Sequence, residues 1–231
     1  MTGTAFQLWP AMRRVERAAR TTIAKCQRKL RLAATPVPIP VEEWIEGPLD
    51  IRFGVADLSH LGTDVLGSVD IPAREILVSE KAALHEGRFR FTAAHELGHF
   101  VLHTKISPTF RDDVHMSAFL DRRFEREADR FAAAFLVPHE LLCVAYSEEC
   151  RDSGASPGDL LRAARDGVAE ARELFRTRVV ARLAKRFGVS ASAMAHRFSD
   201  LYLADGTSAL SAATVAAILQ SRSAVRTDSQ G

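Results

Sequence analysis

Between residues 11 and 33, Met12, Val15, Ala19, Ile23, Cys26 and Leu30 recur at intervals of three and four. That period puts them on one face of an amphipathic helix, with Arg13, Arg14, Arg17, Arg20, Arg28 and Arg31 elsewhere on its surface. The run Thr35-Pro36-Val37-Pro38-Ile39-Pro40 cannot continue a helix and reads as a linker, after which Val41 to Ile45 opens a short helix. Three short β-like runs follow, at 50–55, 64–69 and 74–79, separated by Gly, Asp and Pro; together they predict a small antiparallel sheet. Helical spacing returns from 88 to about 105, with Phe91, Ala94, Gly98 and Val101 on one side. Residues 104–115 read as an irregular loop, and a second strong helix runs from about Met116 to Leu136, stopping before Pro138. Residues 160–187 and 190–203 predict further helices; beyond Asp205 the tail is low in complexity, helical at 211–221 and disordered at its end.

Composition narrows the class. A chain of 231 residues with 47% hydrophobic and 26% charged residues is an ordinary globular protein, large enough for one domain and a smaller helical appendage. A formal net charge of +2 makes no global case for nucleic-acid binding. Cys26, Cys143 and Cys150 form neither a disulfide framework nor a Cys-x-x-Cys metal pair, which fits a reducing, cytoplasmic setting. No apolar run approaches the roughly 18 residues needed to span a bilayer, and the N-terminus lacks the apolar core of a secretory signal. Its Arg-rich, acid-poor stretch imitates an organellar transit peptide, but reads better as a folded helix with a solvated basic face. The divisions expected are 1–35 for that helix, 36–145 for a core, 146–205 for a helical C-terminal region and 206–231 for the tail.

The chemistry concentrates in Phe91-Thr92-Ala93-Ala94-His95-Glu96-Leu97-Gly98-His99-Phe100. Residues four apart share a helix face, so His95 and His99 can reach one metal ion. Glu96 lies beside them, close enough to hold a water without being a ligand, as metal-assisted peptide hydrolysis requires. The pattern alone is only moderately specific, but it falls on a predicted helix, after a β-like run and before a carboxylate-bearing helix. A third ligand is still needed. His103 continues the series, but a rise of 1.5 Å per residue sets it roughly 12 Å along the axis from His95, so it is expected to cap the helix end instead. In Phe124-Glu125-Arg126-Glu127-Ala128-Asp129-Arg130-Phe131, a helical wheel leans Glu125 toward the apolar face. It leaves Glu127 to ion pairs on a wet surface, while Asp129, one turn on from Glu125, can accept the second N–H of a ligand histidine.

The segment Arg90–His99 with Leu102-His103 resembles the signature of the ImmA/IrrE metallopeptidase family. The later Glu125-Arg126-Glu127-Ala128-Asp129-Arg130-Phe131-Ala132, closed by Leu136-Val137-Pro138, resembles that family's second motif. The resemblance runs from about Pro36 to Pro138 and more loosely through 183–203. It implies an α+β, zincin-like (gluzincin-type) fold with an active-site helix, His95, His99 and Glu125 as metal ligands, and Glu96 as the base. It implies zinc as cofactor, with manganese or another divalent ion as the alternative. It also implies a partner, because the best-known members cut repressors of the helix-turn-helix type. The chain departs from the family pattern with Phe135-Leu136-Val137-Pro138 in place of Leu-Leu-Met-Pro, and with a longer stretch from about Tyr146 to Phe175.

Residues 178–203 read as a helix, a Gly188 turn and a Ser-capped helix, the outline of a helix-turn-helix. The second helix offers mainly His196 and Arg197 for base edges, so packing or partner recognition is favoured over DNA binding. The expected activity is attack of a Glu96-activated, metal-bound water on a peptide bond of a repressor-type partner. Residues 74–79 are expected as the edge strand that holds substrate, and Tyr146, His115 and Tyr202 as candidate oxyanion helpers. The alternative is a transcription-regulating or antitoxin/toxin-like binding protein that acts through the C-terminal helices and keeps a vestigial metal site.

Overall fold

A computed structural model describes residues 10–104 and 118–201. The elements are α1 (Pro10–Leu30), α2 (Val41–Glu46), β1 (Arg52–Ala56), β2 (Gly67–Asp70), β3 (Glu75–Ser79), α3 (Glu80–Ala83) and α4 (Glu86–Leu102). They are followed by α5 (Ala118–Leu136), α6 (His139–Asp152), α7 (Pro157–Arg165), α8 (Ala169–Leu174), α9 (Ala181–Phe187) and α10 (Ala191–Asp200). The fold is a mixed α+β arrangement, mostly helical with one small sheet. The loop expected at 104–115 and the tail beyond 201 lie almost wholly outside the described residues, as do His115 and Tyr202.

The chain divides into two compact units, Ala11–Leu136 with Arg186–Ser190, and Val137–Lys185 with Ala191–Gly231. The N-terminal helix, expected as a segment of its own, thus belongs to the first unit. The division falls where Pro138 forbids α5 to continue, whereas the expected boundary at 145/146 lies inside α6.

In the first unit α1 buries Val15, Ala19, Ile23 and Cys26, the apolar stripe read from the sequence; Leu30 is exposed at its end. The helix stops where Arg31 turns left-handed at φ 53° and Leu32 N–H returns to Gln27 O at 3.0 Å. The sheet differs from the expected antiparallel one. Its order is β1-β3-β2, with β1 parallel to β3 and β2 antiparallel to it. The chain leaves β1 through the long connection 57–66, so β2 lies beyond a gap that β3 fills after the tight 70–74 turn. β3 is therefore the central strand, paired on both sides, and the expectation that 74–79 is an edge is corrected. Among the described residues, β2 is the edge strand that lines the candidate site.

Ile76 and Val78 of β3, Trp44 and Ile45 of α2, Leu97 of α4 and Phe131 and Phe135 of α5 make the core of this unit. Helices α4 and α5 approach closely at Gly98, where a Cβ would lie 3.1 Å from Ala128 Cα and 3.2 Å from Phe131 Cβ. The Gly188 turn also belongs here. Arg90, buried, donates from Nε to Gly188 O at 3.0 Å and from Nη2 to Ile39 O at 2.6 Å.

In the second unit Tyr146, Phe175 and Phe198 pack edge to face, with ring centroids 4.9–6.4 Å apart. The continuous helix expected over 160–187 is broken at Gly167, whose φ of 96° no helix accommodates. Helix α6 was not anticipated. Arg197 is buried and donates from Nε to Val137 O at 2.9 Å, so it packs the unit instead of presenting a free guanidinium to DNA. Among the described residues no helix is long and apolar enough to cross a membrane.

Candidate metal centre

The site is built by α4 and α5 in the first unit. His95 and His99, one turn apart on α4, bring their Nε2 atoms to 3.0 Å. The close crossing at Gly98 carries Glu125 of α5 over them. Its Oε2 lies 3.2 Å from His95 Nε2 and its Oε1 3.2 Å from His99 Nε2. These three residues are the group of His, Cys, Asp and Glu side chains, among the described residues, whose donor atoms converge closely enough to hold one metal ion. A tetrahedral ion with bonds of roughly 2.0–2.1 Å needs donors about 3.3 Å apart, so the spacing fits.

Asp129, one turn beyond Glu125, accepts from His95 Nδ1 at 2.9 Å, which leaves His95 Nε2 turned to the shared point. Glu96 is buried at 8% exposure beside them. Burial pushes its carboxyl above the ordinary range, against the pull of His95 and His99. For His95 burial opposes the charge, but hydrogen bonds to Asp129 and Glu125, with Glu96 adding, outweigh it and hold the ring up at about 10. Hydrogen bonds from His95 and His99 hold Glu125 far below the usual carboxylate range.

These side chains line a cleft of about 570 Å³, walled by α4 on one side and by 64–69, including β2, on the other. Gly67 of β2 is required by the closeness of that wall. A Cβ there would lie 2.8 Å from Thr92 Cγ2 and nearer still to Glu96 Oε1. Tyr146 plays no part in the cleft. It is buried in the second unit, its hydroxyl donating to Pro157 O at 2.7 Å.

Residues 49–199 match the peptidase family described as the IrrE N-terminal-like domain (Peptidase_M78). The chain belongs to this family. As a family member it is a peptidase-type protein, and the histidine and glutamate positions above fall inside the matched segment. No curated protein matches the chain. Among solved structures, a Mycobacterium tuberculosis transcriptional regulator shares the fold, with a TM-score of 0.50 and 18% identity. That match covers 84% of this chain and 48% of the regulator, so this member spans about half the length of its structural relative.

One residue of the second motif segment lies elsewhere than expected, and His103 caps α4 as expected. Glu127 is no wet-surface carboxylate: it is 4% exposed and accepts from Arg14 of α1 and from Arg123 Nε at 3.1 Å. Burial raises its carboxyl, but Arg123, His103 and Arg14 together bring it below the ordinary value. His103 takes the cap position of α4, its backbone N–H donating to His99 O at 3.0 Å. It is fully buried, with Nδ1 3.1 Å from His99 Nδ1 and Nε2 3.3 Å from Glu127 Oε2. Burial is the main cause that lowers it to about 4, so the ring is neutral. The i+4 spacing of His99 and His103 was the signal available in the sequence, and helical wheels could not assign it a partner.

Proposed function

We propose that the chain is a zincin-like, metal-dependent endopeptidase that cuts a repressor-type partner protein. The observation that carries this reading is the convergence of His95 Nε2, His99 Nε2 and the Glu125 carboxylate within 3.2 Å of one another, with Glu96 buried alongside on an open cleft. A bound divalent ion, zinc first and manganese as the alternative, would supply Lewis acidity toward water and the peptide carbonyl. His95, His99 and Glu125 would hold it; Asp129 keeps His95 in the required tautomer.

Glu96 accepts the proton of the attacking water as its oxygen forms a bond to the peptide carbon. The same carboxyl then delivers that proton to the departing amine as the C–N bond breaks. Its burial suits both halves, because a carboxyl pushed upward takes a proton more readily than an exposed one. The free edge of β2 is the natural seat for an extended substrate segment, running past Gly67 and the Glu96 carboxyl. The partner class rests on the family resemblance, whose best-known members act on helix-turn-helix repressors.

The deciding test is Glu96→Gln, assayed against a repressor encoded beside this gene. The variant should bind metal, leave the repressor uncut and lose at least about 100-fold in rate. If repression is relieved while the repressor stays intact with both wild type and variant, the chain acts by binding and the peptidase reading fails. Metal analysis of His95→Ala tests the site itself, with loss of the bound ion expected.

A further inference from the structure

Charge is unevenly placed along the chain. Residues 10–31 hold eight of its 31 lysines and arginines and one of its 29 aspartates and glutamates, so the remainder is net acidic although the whole is formally +2. All eight lie on α1 or on Arg31 just beyond it, and all eight are exposed. At about 100° per residue, Arg13, Arg17, Arg20 and Arg28 fall within roughly 80° of one another. They face away from Val15, Ala19, Ile23 and Cys26, which the first unit buries. A rise of about 1.5 Å per residue makes this a stripe roughly 22 Å long. Between Arg13 and Arg28 the same face otherwise carries Thr21, Ala24 and Gln27, all small or polar. Arg20 is already engaged by another group and Arg14 by Glu127, so neither is counted on below.

We propose that this face of α1 docks on the phosphate backbone of duplex DNA, through Arg13, Arg17, Arg28 and Arg31. A duplex presents one negative charge per roughly 1.7 Å of its axis, so a stripe of this length faces about a dozen of them. The planar guanidinium fork matches phosphate oxygens two at a time, and the hydroxyl of Thr21 and the amide of Gln27 are donors of the kind that phosphates also take. Other polyanionic surfaces fit less well. A bilayer would need the apolar face of α1, and that face is already buried in the first unit. An acidic protein would need aromatic or large apolar anchors at the centre of its interface, and the stripe offers Ala24. The proposal depends on neither the metal centre nor the peptidase reading. It would serve that reading by holding the chain where a repressor-type partner is itself bound.

The test is fluorescence anisotropy of the full chain with labelled duplexes of about 20 base pairs, two unrelated sequences, from about 50 to about 200 mM salt. Four phosphate contacts predict a log–log slope of affinity against salt of about −3 to −4, the same for both sequences. The triple variant Arg13→Gln/Arg17→Gln/Arg28→Gln should flatten the slope by about three and weaken binding on the order of 10- to 100-fold at the lowest salt. Arg13→Lys/Arg17→Lys/Arg28→Lys keeps the charges and should keep the slope. Arg17→Gln alone, expected to flatten it by about one, decides the matter if the triple variant does not fold. No binding at the lowest salt overturns the proposal, as does binding that the glutamine variant retains. A lysine variant that loses the slope also overturns it, because the positions would then matter for something other than charge. Polyglutamate or phosphatidylserine vesicles that bind more tightly than the duplex put an acidic protein or a membrane in its place.

Discussion

His95 lies against Asp129 and Glu125 and beside Glu96, and these carboxylates keep its ring protonated up to about 10 despite its burial. A cation bound at Nε2 must displace that proton, while Glu125, held far below its usual range, is already ionised and offers its charge freely. Zinc uptake near neutral pH is therefore expected to release a proton from His95. Apparent affinity should climb roughly tenfold per pH unit through the neutral range. Calorimetry in two buffers of different ionisation enthalpy counts the proton, and an affinity flat between acid and neutral pH would contradict the electrostatics. In the metal-free chain the sign is that of a raised group. The stabilising contact is fully present below the unfolded histidine value of about 6.5 and is lost as pH rises through about 10. Melting temperature of the chelator-treated protein should fall across that window, and that of the zinc-loaded protein should not.

Helices α4 and α5 succeed as a site because they cross where neither has bulk. Gly98→Ala adds a Cβ at 3.1 Å from Ala128 Cα, forcing α5 outward by a few tenths of an ångström. The substitution gains about 1 kcal/mol of helix propensity and costs about 1–3 kcal/mol in overpacking. Stability should thus change little or fall modestly, while zinc affinity, which depends on where α5 holds Glu125, should drop about tenfold or more. Chelator competition and thermal melting on the same sample separate the two. At this scale the sequence was informative where the pattern is local. The i, i+4 histidines, the lean of Glu125 and the turn-on position of Asp129 all follow from one helical period, and the structure brings these side chains together. Strand order was not legible, since three runs of four or five residues carry no signal for parallel pairing across a connection. Glu127 was misread for a related reason. The wheel shows which face of α5 is apolar, but not that α1 and the end of α4 cover the adjoining strip with Arg14 and His103.

Across the whole chain, a segment distant in sequence completes the unit that carries the candidate metal centre. The Gly188 turn, legible as the joint of a helix-turn-helix outline, serves here to receive Arg90 of α4. Its φ of 65° favours glycine, and a Cβ there would press on Arg90 Nε at 3.0 Å and Pro38 Cβ at 3.2 Å. Gly188→Ala is accordingly expected to cost roughly 1–3 kcal/mol of unfolding free energy, read by chemical denaturation, although it lies in neither motif. A compact unit need not be a continuous stretch of chain. The edge position of β2 bears further, on which substrates the proposed activity would accept. An edge strand engages only backbone that is already extended and unpaired, whereas a repressor of the helix-turn-helix type keeps its amides inside helices. On the proposed reading, such a partner would be cut in the moments when a segment has melted. Its local opening equilibrium would then enter the cleavage rate as a multiplying factor, and whatever loosens the partner would start the proposed reaction with this chain unchanged.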